Sequence, residues 1–460
     1  MIEQFGNIFR IPELRKKVLI TLGLIALCRV GVYIPIPGID TTVLKSYFHQ
    51  FTQTGVGQLL GLVDMFAGGA LTSGAIFGLG VMPYISASII FQLLVGVVPY
   101  LERLQKEGEV GRKKINQYTR LATVGLCLFQ AFVMTRTLYT VEFNGMPVIP
   151  VYIQGIGFQM MAALLLTTGT MTLMWIGEQI EEHGIGSGIS IVIMVGIIDR
   201  LPWAFSQVLQ SFTFSVTPAE HQIGIVKLII LLGMFLTIVG GVVYITQGQR
   251  RIPVQQAKHT RGRKVYGGQR HFLPLRVNQA GVMPIIFAQS LLIFPAAIMQ
   301  GIQVRLEPGS LSYWITSRLS DVLQGGVVYV ILYVLLITFF CYFWTAIQFN
   351  PKEMSNNMKD YGSFIPGIRP GHRTAEYLEG IMGKITLAGA AFLALIAILP
   401  KLVAGGFELN RAIAGFYGGT GLLIIVGVAL DMVQRIESHM IMRQYSGFLS
   451  GGSRIRGRMG

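Results

Sequence analysis

Charge is scarce in this sequence: 13% of its 460 residues are Asp, Glu, Lys or Arg, about half the share of a soluble domain, while 52% are apolar. That composition excludes an ordinary water-soluble domain. Cysteine is nearly absent. Cys28, Cys127 and Cys341 each fall inside an apolar run without metal-ligand spacing, which argues against a disulfide or zinc site and for buried apolar side chains. No phosphate-cradling glycine loop followed by lysine occurs, so no intrinsic ATPase is expected. Ion-coupled carriers and pumps need ionisable groups at membrane depth, and these too are almost missing. Arg29, Asp199 and Lys227 lie near the ends of apolar runs, where long side chains snorkel, and Asp431 begins the basic exit of the last run; structural roles are expected for all four. Gly184-Ile185-Gly186-Ser187-Gly188 comes nearest to an intramembrane serine protease motif. That motif needs glycine at 185 and a histidine in a later span, and both are wanting. No catalytic residue, metal or cofactor is therefore expected, and energy must come from a partner.

What is present in abundance is apolar sequence in long runs. Ten of them, near 18–34, 75–98, 121–141, 158–177, 186–206, 223–247, 281–300, 326–348, 385–403 and 412–432, each approach the roughly 20 residues a helix needs to cross the hydrocarbon. Every backbone N–H and C=O must be satisfied internally in lipid, and the runs lack the alternation of barrel strands, so an all-α polytopic membrane protein is predicted. Met1 to Lys17 is polar and basic with no small-residue cleavage site, so the first run is expected to remain as an anchor. If the runs alternate across the membrane, the two termini and the loops after even runs share one side. That side carries 28 of the 37 lysines and arginines, which by the positive-inside rule makes it cytoplasmic.

The basic face admits two uses: orientation charge with affinity for anionic lipid, or docking of a large partner. Loops 247–280 and 349–384 are far longer than connectors need to be. The first reads as two strands, Ile252 to Lys258 and Lys264 to Leu275, joined by a basic turn at His259 to Arg263. The second reads as a helix starting at Asn350 and Pro351, followed by a tight Gly367-Ile368-Arg369-Pro370-Gly371 tip.

Five runs in each half would give the halves opposite orientation, an inverted-repeat architecture if they are related. Gly80-Val81-Met82-Pro83 recurs as Gly281-Val282-Met283-Pro284, setting Ile85 against Ile286, and Val192 to Gly196 resembles Leu423 to Gly427, pairing Ile193 with Ile424. Residues 55–80 are rich in glycine, Gly68 and Gly69 among them, which disfavours a continuous helix and suggests either a re-entrant segment or a surface loop.

Several of these stretches together resemble one family. AGGALTSGAIFGLGVMPYISASIIFQLL at 67–94, GEQIEEHGIGSGIS at 177–190, GQRRIPVQQAK at 248–258, LPLRVNQAGVMPIIFA at 273–288 and FIPGIRPGHRTAEYL at 364–378 are similar to signatures of the bacterial SecY family, in the same order and over nearly the whole chain. The resemblance implies ten transmembrane helices in two inverted five-helix halves, 1–207 and 208–460, around a pore for unfolded secretory proteins with lateral release of hydrophobic segments into lipid. It implies a pore ring of Val81, Ile85, Ile189, Ile193, Ile286 and Ile424, an apolar constriction that dewets yet fits around any extended chain. It implies a plug near 58–73 including Leu60, Asp64, Phe66, Gly68 and Gly69, and a lateral gate with Gln92 and Gln289, for which helix packing is an equal alternative. Docking of the motor ATPase SecA or of the ribosome falls on Arg250, Arg251, Arg263, Lys264 and Arg369; for the first two, orientation charge is the alternative. SecE and SecG are expected partners, signal sequences and membrane lipid are expected contacts, and the bacterial inner membrane is the expected location, with both termini cytoplasmic. The competing reading is a solute carrier, which would need a polar midplane site at broken helices.

Overall fold

The computed structural model describes residues 12–51, 64, 66–139, 141–199, 201–210, 212–214, 224–256, 259–261, 264–266, 270–289, 291–292, 299, 310–324, 326–406 and 419–450. The chain opens with α1 (Pro12–Val32) and the short α2 (Thr41–Phe51), capped by Asp40, whose Oδ1 accepts from the backbone N–H groups of Thr42 and Val43. Then come α3 (Met82–Val97), α4 (Pro99–Lys106), α5 (Glu109–Leu138), the hairpin β1 (Glu142–Phe143) and β2 (Met146–Pro147), α6 (Ile156–His183), α7 (Gly188–Ile198), α8 (Leu201–Gln210) and α9 (Ile225–Gln247). Strands β3 (Gln249–Gln256), β4 (His259–Arg261), β5 (Lys264–Tyr266) and β6 (Arg270–Arg276) precede a helical stretch at 283–289. The chain continues through α10 (Leu311–Gln324), α11 (Gly326–Gln348), α12 (Pro351–Asp360), β7 (Ser363–Phe364), α13 (His372–Gly406) and α14 (Gly419–Ser450).

Among the described residues, five helical stretches are long and apolar enough to cross a membrane: Glu109–Leu138, Ile156–His183, Ile225–Gln247, Gly326–Asp360 and His372–Leu399. A sixth arises if α3 and α4 count as one span bent by 97°. The bend falls at Val98, which is extended because Pro99 follows it. Large apolar side chains such as Leu121, Phe129, Leu164, Leu232, Leu236, Leu335 and Leu395 stand exposed on these helices, as a lipid-facing surface requires.

Two predicted runs differ from the helices that form. The run at 75–98 becomes helical only at Met82, because 66–81 is a chain of turns. Gly80 adopts φ +58, a left-handed conformation that ends any helix entering from its N-terminal side. The run at 186–206 breaks after Asp199 into α7 and α8; Pro202 lacks the N–H that a continuous helix would bond to residue 198. With 11 residues, α7 spans roughly 16 Å, about half the hydrocarbon thickness.

The turn segment 66–81 contains no exposed residue. It lies beside the midpoint of α6, where a Cβ on Gly169 would meet the Ile76 carbonyl at 2.1 Å. Its backbone groups bond among themselves and to the chain just after α1: Ile36 N–H donates to Gly74 O at 2.8 Å and Ile76 N–H to Ile34 O at 3.0 Å. Around it lies the main apolar core, built from α1, α3, α6, α7, α9, α11, α13, α14 and the 283–289 stretch. A second core joins α2, α5 and α6 to the β1–β2 end.

The two long basic loops prove to be one unit. β3 pairs antiparallel with β6 over seven residues and, on its other edge, with β7, so the sheet order is β6-β3-β7. The predicted strands are therefore corrected. Ile252 to Lys258 becomes Gln249–Gln256, and Lys264 to Leu275 divides into β5 and β6, because β4 and β5 pair with each other as a separate small hairpin that sets Thr260 opposite Val265. The helix start at Asn350 and Pro351 is as expected: Asn350 caps α12 by accepting from Glu353 N–H at 3.3 Å, with Pro351 in the first turn.

The glycine run 184–188 has a packing role. A Cβ on Gly188 would stand 1.7 Å from the Gly177 carbonyl oxygen, whereas one on Gly177 comes no nearer than 3.0 Å to Ile189 Cγ1 and 3.4 Å to the Ile189 backbone nitrogen. Gly188→Ala should therefore destabilise the folded protein by about 2 kcal/mol, Gly177→Ala by clearly less, and Gly125→Ala, which meets open space, not at all. Thermal unfolding of the three purified variants in one detergent checks that order.

Candidate pore, plug and docking surface

All six predicted ring residues share one apolar cluster. Val81, Ile85, Ile193, Ile286 and Ile424 are buried members of it, and the partly buried Ile189 packs against it. They arrive from four directions: Val81 and Ile85 at the start of α3, Ile189 and Ile193 one turn apart on α7, Ile286 in the 283–289 stretch and Ile424 in α14. The two Gly-Val-Met-Pro copies share one geometry. Gly80 and Gly281 both take left-handed φ values, +58 and +64, the valine is a turn residue, and the helix begins at the methionine with proline second. Ile85 N–H donates to Val81 O at 3.1 Å, and Ile286 N–H to Val282 O at 3.4 Å. Proline tolerates the second helical position because its N–H would have no partner there anyway.

The glycine turn segment, near the C-terminal end of α1, belongs to the same cluster through Phe66, Ala67, Ala70, Ala75 and Phe77. Asp64 is fully buried; its Oδ1 accepts from Thr72 N–H at 3.0 Å and its backbone carbonyl from Gly69 N–H at 2.9 Å. Phe66 is buried, and Ala67 sits so close to Gly80 that a Cβ there would meet the Ala67 Cα at 2.9 Å. Gly68 and Gly69 make the turn between them. Leu60 lies outside the described residues. The two glutamines are similar in one respect. Gln92 donates from Nε2 to Ser88 Oγ at 3.2 Å, yet its Oε1 is buried without a hydrogen bond, and so is Oε1 of the buried Gln289. Among the described residues no hydrogen bond joins them.

On the opposite end, Arg250 and Arg251 stand exposed on β3 while the next residue, Ile252, is buried in a small core with Leu275, Phe349, Ile365, Leu378, Ile381, Met382 and Ile385. Arg369 is exposed at its tip. The tip is tied to its surroundings: Thr374 Oγ1 donates to Arg369 O at 2.9 Å and Ser355 Oγ to Gly371 O at 2.6 Å. Lys264 lies on β5, away from the three-stranded sheet, and Arg263 is outside the described residues. Sheet and tip thus form a rigid platform for three of the five predicted docking cations.

Among the described residues, two ion pairs between helices went unread in the sequence. Arg29, near the end of α1, pairs with Asp199 at the end of α7, and Arg120 of α5 pairs with Glu178 of α6 at 2.6 Å. The first had a signal, since opposite charges stand at the C-terminal ends of the first and fifth apolar runs, which alternation puts on one side.

The sequence model of the SecY family matches residues 75–433. The chain is 44% identical to the protein translocase subunit SecY of Streptomyces coelicolor over 98% of its own length and all of that protein, and 39% identical to that of Thermotoga maritima over the full length of both. The chain belongs to the SecY family. Membership makes it a multi-pass, protein-conducting channel subunit and not an enzyme. Its fold resembles a solved structure of a protein conducting channel, with TM-score 0.60, 18% identity and 94% of each chain covered. It also resembles one concerned with the plug domain of a SecY protein and the closed state, with TM-score 0.56, 17% identity and the same coverage.

The Arg369 tip depends on few bonds, so its rigidity can be tested. Ser355→Ala removes one of them at a cost of roughly 1 kcal/mol, and hydrogen exchange at the amides of Thr374 and Ala375, both bonded to Gly371 O, should quicken about fivefold. Unchanged exchange would mean that the tip is held by other contacts.

Proposed function

We propose that the chain is the pore subunit through which unfolded secretory proteins cross the bacterial inner membrane, and from which hydrophobic segments pass sideways into lipid. The observation that carries this reading is that six aliphatic side chains from four separate segments belong to one apolar cluster, to which the buried turn segment also contributes. An apolar constriction excludes ions by dewetting, and aliphatic side chains can re-pack around any sequence. Val81, Ile85, Ile189, Ile193, Ile286 and Ile424 are the ring. Asp64, Phe66, Gly68 and Gly69 belong to the plug, with Leu60 at its start. Gln92 and Gln289 are the polar residues of the lateral gate, where their buried amide oxygens can accept from an entering peptide N–H.

In this reading the halves 1–207 and 208–460 are inverted repeats of five spans each, supported by the matching geometry at Gly80 and Gly281. The short α7 then serves as the innermost part of a fifth span rather than a complete crossing. Both termini and the basic platform face the cytoplasm, as the lysine and arginine bias suggests. Arg250, Arg251, Arg263, Lys264 and Arg369 present positive charge to SecA and to ribosomal RNA, where each phosphate contact makes binding salt-dependent. SecE and SecG occupy part of the exposed apolar surface. A solute carrier is disfavoured because the ion pair nearest the core, Arg29 with Asp199, lies at helix ends and not at a polar midplane site.

Ion conductance of the reconstituted complex in planar bilayers tests ring and plug together. The parent should conduct little, while Ile85→Gly combined with Ile193→Gly, and separately deletion of residues 60–73, should each produce a steady leak. Should neither variant leak, both assignments fall and the solute-carrier reading returns.

A further inference from the structure

Arg29 and Asp199 are charged groups that neither the ring nor the docking surface uses. Asp199 caps the C-terminal end of α7, the negative end of the helix dipole, where a carboxylate is electrostatically disfavoured unless a cation neutralises it. Arg29 supplies that cation, from the last turn of α1. The guanidinium also reaches the turn segment: Nη2 lies 3.5 Å from the Gly68 carbonyl oxygen, to which it donates. Gly68 is wedged there. A Cβ on it would stand 2.8 Å from Arg29 Nη1 and 3.0 Å from the Cα of Gly196 in α7. One guanidinium thus joins three elements, namely α1, α7 and the turn at Gly68 and Gly69.

From this geometry we propose that Arg29 and Asp199 form a latch that holds the plug shut and sets the threshold for its release. The proposal rests on the plug reading given above and adds the residues that position it. With Asp199 fixing the guanidinium at the end of α7, the Gly68 carbonyl is held between two helices. A plug that leaves must give up this bond and its contact with Gly196. Without Asp199 the arginine is free to turn toward water, since its side chain is already 21% exposed, and the plug loses its anchor. The pair is partly solvated, so its coupling is that of a screened ion pair, on the order of fivefold in an equilibrium.

The test is the open fraction of single channels of the full reconstituted complex, for Arg29→Gln, Asp199→Asn, the double variant, and each of these within the 60–73 deletion. The latch requires that each single variant raise the open fraction about fivefold and that the double variant do no more than the larger single, because both act through one contact. It also requires that neither substitution add anything once the plug is deleted. That last comparison separates a latch from general loosening of helix packing, which would leak further in the deletion background and would overturn the proposal. Sealed single variants beside a leaking deletion would overturn the latch and leave the plug standing. A sealed deletion would bring down the plug reading and the latch with it. If Arg29→Gln fails to assemble, Asp199→Asn decides alone, since it alters a helix end whose side chain is 42% exposed.

Discussion

Lipid offers no hydrogen bonds, so every turn of non-helical backbone at membrane depth must find its partners within the protein. The segment 66–81 is where this constraint is met with most difficulty. Beside the centre of α6 it runs as successive turns, and its amides bond to carbonyls three to five residues back or to the strand-like stretch at 34–36. That demand explains much of the surrounding structure. The segment must be enclosed, so α1, α6 and α7 wrap it. Close enclosure needs small residues, and glycines on those three helices meet it: Gly31 against Phe77, Gly169 against Ile76 and Gly196 against Gly68. The candidate ring residues begin where the turns end, at Val81.

The same turn chemistry occurs at the second copy of the Gly-Val-Met-Pro sequence. A left-handed glycine, then a turn residue, then a helix with proline in its second position sets the direction in which the following isoleucine points, one turn into the helix. Repeating that device in two places is an economical way to aim two side chains at one cluster. Ile85 and Ile286 both arrive there.

How far these features were legible in the sequence depended on whether the signal was local. The long apolar runs marked α5, α6, α9, α11 and α13, since a span is a local property of about 20 residues. The Asn350 and Pro351 helix start and the tight turn at Arg369 were equally local. The apolar run at 75–98 placed the start of α3 too early, because hydrophobicity does not distinguish a helix from a buried turn segment; the glycines of 55–80, read as interrupting the helix, carried that information. The breaks at Val98 and near Asp199 needed Pro99 and Pro202 to be weighed above apolarity. Three-dimensional joins were beyond reach. Nothing at Gln255 announces pairing with Phe364 more than a hundred residues later, and that pairing turns two predicted hairpins into one platform. Ile193 and Ile424 could be matched through a five-residue likeness, but their meeting with Ile189 and Val81 is a property of packing. The family resemblance supplied the six residues of the proposed ring as a set, and all six belong to or pack against one apolar cluster.

The turn segment, as the plug proposed above, must be rigid when closed and inexpensive to move, and its bonding reconciles the two. Most of its hydrogen bonds are internal: Gly69 to Asp64, Ala70 to Ala67, Ser73 to Gly69, Gly74 to Leu71, Ala75 to Ala70, and the Asp64 carboxylate to Thr72. These would travel with the segment if it swung as a body, so no backbone group need be exposed unsatisfied in the process. The bonds to Ile34 and Ile36 lie at its root, near α3, where a hinge would leave them intact. In the plug reading, a segment that moves surrenders apolar contacts such as those of Phe66, Ala67 and Ala70, together with the polar tie from Arg29 to Gly68. Since the internal bonds are indifferent to position, in that reading the contacts with the surrounding helices set how tightly the segment is held.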